Sequence, residues 1–198
     1  MANRRISLDI EHPIWDRFFF VAPLVIIGTR EPDGRFDLAP KHMAGPMSWG
    51  NWFGFVCTPR HHTYANAVRE GVFTVSVPTP AQVLETSLAA APRYPTEGKP
   101  ALDVLATVPA RIVTGALLAD AAVHLECATE RVIDELGDNS LLIGRIVAAS
   151  VAASSLRAPD CDDQDLLRNA PLLAYLYPGR CAEIADTQAF PFPAGMRR

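Results

Sequence analysis

The chain has 198 residues, of which 49% are hydrophobic and 20% charged, and its formal net charge is -4. This length favours a single domain over residues 1–198, and the composition excludes a disordered chain. Because Lys and Arg are scattered rather than concentrated in one segment, a nucleic-acid-binding surface is excluded as well, and small molecules are the expected partners.

The apolar run FFFVAPLVIIG, residues 18–28, is too short to span a membrane and contains Pro23. No small-residue cleavage site follows it, so we interpret it as a buried strand rather than a signal segment. The four cysteines are widely spaced and form no C-x-x-C pair, which offers no zinc framework and fits a reducing compartment. We therefore expect a cytoplasmic protein that does not bind membranes.

Strand and turn signals alternate in the first half of the chain. VAPLVIIGTR and RFDLAP, separated by EPDG, predict a hairpin because Asp33-Gly34 supplies the backbone freedom that a tight turn needs. A long loop rich in Gly and Pro then leads to two further strand segments, WFGFVC and VFTVSVP. Between them, Thr63 and Gly71 are placed to cap a helix of about two turns over YANAVRE.

The rest of the chain adds a second helix and a second hairpin. AQVLETSLAAA predicts a helix that begins at Thr79-Pro80 and ends near Pro92. AVHLECATERVID and SLLIGRIVAASV, joined by ELGDN, predict the hairpin. The acidic run DCDDQD lacks the Gly and terminal Glu of an EF-hand loop, which favours a helix cap or a solvated turn over calcium. PLLAYLYPGRCAEI is interpreted as strands or extended packing arms.

These elements amount to about six or seven strands, antiparallel where hairpins are visible, with two or three short helices. The expected fold class is therefore mainly β, an antiparallel barrel with helical lids. No G-x-G-x-x-G follows a strand, and no G-x-x-x-x-G-K-[ST] is present. Any nucleotide must be held by some other device than these two phosphate cradles.

Three kinds of site are compatible with the segment CTPRHHTYANAVREG, residues 57–71. A metal site is disfavoured because the adjacent His61 and His62 diverge on a strand or a helix, and a third ligand would have to come from His42 or His124. Cys57 with a nearby histidine could act as a nucleophile with its base, although strand cysteines are more often buried hydrophobes.

An anion site fits the same segment better. The start of a capped helix has free backbone N–H groups and a positive dipole end, Thr63 adds a hydroxyl, and Arg60 adds a forked cation. The alternative, that Arg60 and the histidines coat a solvated turn, stays equally open on physical grounds. Lys41 and His42 lie where the second strand enters the long loop, at the expected barrel mouth, unless they are simply a surface pair. Trp49 and Trp52 are candidate walls for a flat aromatic ligand, or core residues.

Several blocks of the chain resemble one known family. VAPLVIIGTREPDGRFDLAP, WFGFVCTPRHHTYANAVREGVFTVSVPTP and HLECATERVIDELGDNSLLIGRIVAA are similar, in order and spacing, to the flavin reductase-like, FMN-binding split-barrel proteins, of the flavoredoxin and flavin reductase type. The resemblance covers residues 20 to about 150. It implies a split antiparallel Greek-key β-barrel over about 15–157, a C-terminal arm over about 158–198, and a homodimer with FMN near the subunit interface.

The resemblance also implies which residues hold the cofactor. The loop after the second strand would lie along the isoalloxazine ring, and the segment through Arg60 and Thr63 would lie near the phosphate, with Asn66 as a further polar contact. A cation at Lys41 or His42 would then stabilise the reduced flavin electrostatically. The cofactor-binding residues expected in this way are Ala39, Pro40, Lys41, His42, Met43, Cys57, Thr58, Arg60, His62, Thr63 and Asn66.

The function implied is an FMN-binding oxidoreductase that transfers electrons or hydride between a soluble donor and flavin or a small acceptor. NADH or NADPH is a candidate donor, but Asn139 follows Gly137-Asp138 where many members have a histidine, so the donor stays open. One alternative is a non-catalytic protein that binds or senses flavin or haem on the same barrel. A metal-dependent hydrolase using His42, His61 or His124 is a third hypothesis.

Overall fold

Antiparallel strands make up most of the computed structural model, which describes residues 4–94 and 98–196. The strands are β1 (Phe20–Pro23), β2 (Val25–Arg30), β3 (Phe36–Lys41), β4 (Ala44–Pro46), β5 (Trp52–Cys57), β6 (Val72–Val77), β7 (Thr107–Pro109), β8 (Ala116–Leu118), β9 (Val123–Leu136), β10 (Asn139–Val151), β11 (Leu172–Tyr177) and β12 (Arg180–Ile184). The helices are α1 (His62–Glu70), α2 (Val83–Leu88) and α3 (Asp163–Asn169), with short 3₁₀ turns at Pro80–Gln82, Pro100–Val104 and Ala153–Ser155.

One curled sheet of seven strands, in the order β3-β2-β6-β9-β10-β5-β4, forms the half-barrel. Neighbouring strands in it are antiparallel throughout. A two-stranded sheet, β7-β8, and a three-stranded sheet, β1-β11-β12, complete the described strands. The expected fold class, a mainly β split barrel with a few short helices, is confirmed.

Both predicted hairpins are present. Strands β2 and β3 pair from Val25 opposite Lys41 to Arg30 opposite Phe36, and Gly34 lies in their turn with a φ of +91°. Strands β9 and β10 pair along most of their length, and their turn contains Gly137 with a φ of +63°. In both cases the local turn residues were enough to locate the connection, because only glycine adopts such a φ without strain.

Strand β6, in the interior of the seven-stranded sheet, is buried on both of its faces. Phe73 and Val75 point into the main core, where Phe73 meets Phe55 edge to face at a ring-centroid distance of 5.1 Å. On the other face, the hydroxyl of Thr74 donates to the Ala116 carbonyl at 2.6 Å, and the Ser76 hydroxyl accepts from the Leu118 N–H at 2.9 Å. Thr74 and Ser76 are thus covered by β8 and hydrogen-bonded to it.

The expectation of one buried strand over residues 18–28 is wrong for its first half. Phe18, Phe19, Phe20 and Val21 are all exposed, and the chain changes sheets after Pro23. Proline has no N–H to give to a sheet, so pairing with one neighbour ends there and β2 begins in the seven-stranded sheet. Among the described residues, no helix is long and apolar enough to cross a membrane.

A buried carboxylate fixes the loop between β7 and β8. Glu126 on β9 is 4% exposed and accepts three backbone N–H bonds, from Arg111 at 2.9 Å, Ile112 at 2.6 Å and Val113 at 2.9 Å. Burial works to raise the pKa of Glu126, but the three N–H donors, helped by the charge of Arg111, outweigh it and hold the pKa below its ordinary value. The ionised carboxylate therefore stabilises the loop that leads into β8, the strand that covers one face of β6.

The first prediction concerns Glu126→Gln, which removes the charge that these N–H groups bind. We expect the free energy of unfolding in urea at pH 7 to fall by about 2–4 kcal/mol. Because the folded pKa is lowered, the wild-type advantage is complete above the unfolded pKa of about 4.3 and disappears as the pH falls through the folded pKa. Glu130→Gln, at an exposed ion pair with Arg145, is the control and should cost less than about 1 kcal/mol. An equal loss for Glu126→Gln at every pH would contradict the electrostatic explanation.

Candidate binding cleft

A cleft of about 390 Å³ opens between the end of β3 and the start of α1. Its remaining walls come from the chain that follows α2, and they include Arg93 and Lys99. The lining residues are Asp37, Ala39, Pro40, Lys41, Arg60, His61, His62, Thr63, Ala89, Ala90, Ala91, Pro92, Arg93 and Lys99. Six residues expected from the sequence to bind the cofactor are brought together here: Ala39, Pro40, Lys41, Arg60, His62 and Thr63.

Helix α1 begins two residues earlier than predicted, at His62 instead of Tyr64, and Thr63 is not its N-cap. His61 occupies the N-cap position, with an extended backbone at φ -88° and ψ 143°, and its side chain caps nothing. The Thr63 hydroxyl is buried and donates to Asp37 Oδ2 at 3.4 Å, so a tertiary partner outcompetes the local cap. The first turn of α1 contains no acidic residue, which leaves its positive dipole end uncompensated by the helix itself.

Arg60 stands at the edge of the cleft with its guanidinium largely free. Its side chain is 75% exposed, and its contact with Asp138, at 3.8 Å, joins two exposed groups. Such a surface pair contributes little energy, so an anion in the cleft would compete for Arg60 easily. The same contact places the turn between β9 and β10, and hence Asn139, beside the start of α1.

Four charged residues form a network along the cleft that sequence reasoning missed. Arg93 Nη2 lies 2.6 Å from Glu31 Oε1 and 3.0 Å from Asp37 Oδ1, and Lys99 Nζ lies 3.3 Å from Asp37 Oδ1. Glu31 and Asp37 are only 6% and 3% exposed. Burial lowers the pKa of Lys99, and the charge of Asp37 partly restores it. The only sequence signal was a pair of acids flanking a hairpin turn, which a solvated turn explains equally well.

Cys57 does not have the surroundings of an activated nucleophile. It is buried, and its Sγ lies 3.9 Å from His61 Nδ1, at the outer limit of a sulfur hydrogen bond. Burial raises the pKa of the Cys57 thiol, and the nearby charge of Lys41 offsets this only in part. The thiolate is therefore disfavoured at neutral pH, and Cys57 acts as a small core residue.

The histidines considered as metal ligands have separate partners. His62 Nδ1 lies 3.0 Å from Glu31 Oε2, whereas His61 lies against Cys57. His124 Nε2 meets the Leu118 carbonyl at 2.8 Å, on the β8 side of the sheet. Within residues 4–94 and 98–196, no group of three or more His, Cys, Asp or Glu side chains is arranged to hold a metal ion.

His42 and Met43 line a second, apolar cleft of about 300 Å³ with Trp15, Phe20 and Tyr177. The His42 ring lies 4.9 Å from that of Tyr175 and 5.4 Å from that of Tyr177. Burial, and then the charge of Lys41, lowers the pKa of His42, so its imidazole is neutral at pH 7. Residues 39–43 were expected to contact one ligand, but they border two clefts. Ala39, Pro40 and Lys41 line the first cleft, whereas His42 and Met43 line the second.

Two other expected site residues, Asn66 and Thr58, are not among the residues that line the cleft. Asn66 is buried, and both ends of its amide are used internally: its Nδ2 donates to Thr29 Oγ1 at 3.2 Å, and its Oδ1 accepts from Arg69 at 3.0 Å. Thr58 lies between Cys57 and the first turn of α1, and its buried hydroxyl finds no hydrogen-bond partner among the described residues. Trp49, a candidate ligand wall, is fully exposed.

The model of the flavin reductase like domain family matches residues 17–176, and the chain belongs to this family. Solved structures share its fold at low identity. Flavoredoxin of Desulfovibrio vulgaris (Miyazaki F) superposes with a TM-score of 0.77 at 20% identity, over 96% of this chain and 100% of that one. Nitrilotriacetate monooxygenase component B from Bacillus cereus gives 0.80 at 18% identity, with the same coverages of 96% and 100%. The NADH:FAD oxidoreductase of Streptomyces globisporus C-1027 gives 0.67 at 16% identity, over 84% and 88%.

The second prediction follows from the burial of the cysteines. Cys161 and Cys181 are exposed, whereas Cys57 and Cys127 are buried, and burial raises the pKa of Cys127 to about 12. We expect a disulfide reagent at pH 8 to modify two thiols rapidly in the native protein and four after denaturation. Replacing Cys161 and Cys181 by Ser should abolish the rapid phase. A further rapid thiol in that variant, removed by Cys57→Ser, would show that Cys57 is an activated nucleophile after all.

Proposed function

We propose that the chain binds FMN in the cleft between β3 and α1 and acts as a flavin-dependent oxidoreductase. Its reaction would transfer electrons or hydride between a soluble donor, with NADH and NADPH as candidates, and flavin or a small acceptor. The observation that supports this best is the start of α1, which combines an acid-free first turn with Arg60 and Lys41 at a cleft of about 390 Å³. Free N–H groups at a helix start together with cations favour the binding of a phosphate group.

The residues present fit a phosphorylated flavin in two further respects. The buried Thr58 hydroxyl, without a partner in the described parts of the chain, lies just before this helix start and can donate to a phosphate oxygen. Ala39 and Pro40 give the cleft an apolar border on the β3 side, which suits one face of a ring system. The flavin supplies the redox chemistry when bound, and the protein positions it and sets the charge around it.

In this proposal the start of α1 holds the phosphate and the end of β3 lies along the ring system. Arg60 and the backbone N–H groups of the first turn would bind the phosphate directly. Thr63 would contribute mainly through its own N–H, because its hydroxyl proton points to Asp37. Ala39 to Lys41 would contact the ring, whereas His42 and Met43 border the adjoining apolar cleft. Asn66 would act indirectly, by fixing α1 against Thr29 on β2.

The proposal extends to assembly and location. The exposed run from Phe18 to Val21, together with exposed Trp15, forms an apolar surface beside the second cleft that a second copy of the chain would cover. We therefore include a homodimer. Cys161 and Cys181 are free and exposed, which suits the reducing cytoplasm.

The third prediction is the direct test of this function. Purified protein mixed with FMN and then freed of excess ligand should retain one equivalent of flavin per chain, seen in the absorption spectrum. FAD and riboflavin, compared by titration, should bind more weakly if the cleft is built around a terminal phosphate. Anaerobic NADH or NADPH should bleach the band, and an added acceptor should restore it.

Three results would redirect the proposal. Retained flavin that neither nucleotide reduces would favour another donor or the non-catalytic binding protein weighed as the alternative. Failure to bind any flavin, with the protein shown to be folded by its circular dichroism, would contradict the function. Binding of haem in place of flavin, seen as a Soret band, would support the sensing alternative.

The fourth prediction concerns Lys41→Met. A cation beside the ring favours the reduced flavin, which carries more negative charge, so its removal should lower the two-electron potential of the bound flavin by about 20–40 mV. Arg60→Met is the matched control: it removes the same charge at the phosphate end and should weaken FMN binding with little change in potential. An unchanged potential in Lys41→Met would remove the role assigned to Lys41. The measurement is an equilibrium reduction against a reference dye.

A further inference from the structure

Two buried carboxylates hold the first turn of α1 in place. Glu31 Oε2 lies 3.0 Å from His62 Nδ1, and Asp37 Oδ2 accepts the Thr63 hydroxyl at 3.4 Å. Glu31 and Asp37 flank the turn between β2 and β3, so this hairpin is joined to two successive residues of the helix start. Both partners, His62 and Thr63, line the cleft.

These carboxylates are an electrostatic problem for an anion site. A phosphate bound at the start of α1 would face Asp37, which itself lines the cleft, and Glu31, which contacts the cleft residue His62. Both carboxylates are largely removed from water. Repulsion between like charges is strong when they are close and poorly screened. Uncompensated acids at these positions would therefore work against phosphate binding.

Two cations from another part of the chain, Arg93 and Lys99, neutralise these carboxylates. Arg93 bridges Glu31 and Asp37, and Lys99 contacts Asp37 and donates to the Leu38 carbonyl at 2.8 Å. Both cations line the cleft, and their side chains are 23% and 9% exposed. Together with Lys41 and Arg60, they bring the cleft and its network to four cations and two carboxylates. The loss of Lys99 would halve this excess of positive charge.

We propose that Glu31, Asp37, Arg93 and Lys99 form a compensated platform that makes the cleft selective for a phosphorylated flavin over the unphosphorylated one. The carboxylates are positioning residues, because they act through His62 and Thr63. The cations cancel the repulsion that these carboxylates would otherwise exert on the phosphate. This inference rests on the proposed function, since it assumes that a flavin occupies the cleft.

A charge-compensating role and a packing role of Lys99 predict different effects on ligand binding. If Lys99 served only to hold its segment against β3, its loss would weaken every ligand of the cleft alike. If it neutralises Asp37, its loss penalises the ligand that carries the phosphate dianion and leaves riboflavin almost unaffected. Comparison of FMN with riboflavin, which differ only in the phosphate, therefore separates the two roles.

The fifth prediction uses Lys99→Met, with dissociation constants measured by flavin fluorescence titration. The constant for FMN should rise about tenfold, while that for riboflavin stays within about twofold. The FMN penalty should shrink as salt is added, since exposed parts of the cleft are screened. Lys99→Arg, which keeps the charge, should retain most of the preference for FMN. Arg145→Met is the control for the loss of one positive charge elsewhere on the surface and should change neither constant.

The double variant Asp37→Asn with Lys99→Met gives the decisive comparison. It removes the carboxylate together with its compensating cation, while Arg93 keeps its contact with Glu31. We expect the FMN constant of the double variant to return to within about threefold of wild type. Restoration of FMN binding by a second substitution also shows that Lys99→Met had not simply unfolded the cleft.

Three outcomes would overturn the proposal. An equal loss of FMN and riboflavin binding in Lys99→Met would make Lys99 a packing residue only. No recovery in the double variant would show that Lys99 does not act through Asp37. If the wild-type protein binds neither flavin, the proposed function is wrong and this inference with it. Binding of FMN by the wild type thus distinguishes a failure of the platform from a failure of the function.

Discussion

The double burial of β6 is the constraint on which the rest of the structure depends. One face of this strand packs Phe73 and Val75 into the barrel core. On the other face, the hydroxyls of Thr74 and Ser76 form hydrogen bonds with the backbone of β8. The same layer leaves no room for a side chain at Gly28 on β2, where a Cβ would lie 2.3 Å from both the Ala116 carbonyl oxygen and the Thr74 hydroxyl oxygen. The strands that carry the cleft are attached to this central layer, because β2 pairs with β6 and β3 pairs with β2.

Much of the fold could be predicted because its signals are local. The two hairpins follow from Asp33-Gly34 and Gly137-Asp138, where the turn residues themselves set the backbone. The break inside residues 18–28 was missed because an apolar run does not reveal that its two halves belong to different sheets. The predicted Thr63 cap is wrong because the Thr63 hydroxyl donates to Asp37, a partner far away in the sequence.

That six of the expected residues line one cleft could also be inferred from local signals, while their role in binding a cofactor stays a prediction. Arg60 to Thr63 and Ala39 to Lys41 lie in two short segments whose position at a helix start and a strand end can be inferred locally. The compensated platform could not be inferred, since Arg93 and Lys99 meet Glu31 and Asp37 across 62 positions of chain. Charged residues in a predicted turn look the same whether they are solvated or buried in pairs.

The end of β3 gives the protein two neighbouring surfaces of opposite chemistry. Lys41 belongs to a polar, charge-lined cleft, and the very next side chain, His42, belongs to a cleft walled by Trp15, Phe20 and Tyr177. Substitutions at residues 42 and 43 can therefore remodel the apolar surface without disturbing the polar one. Related proteins with this backbone could therefore diverge in the ligand bound at the apolar cleft while keeping the polar cleft unchanged.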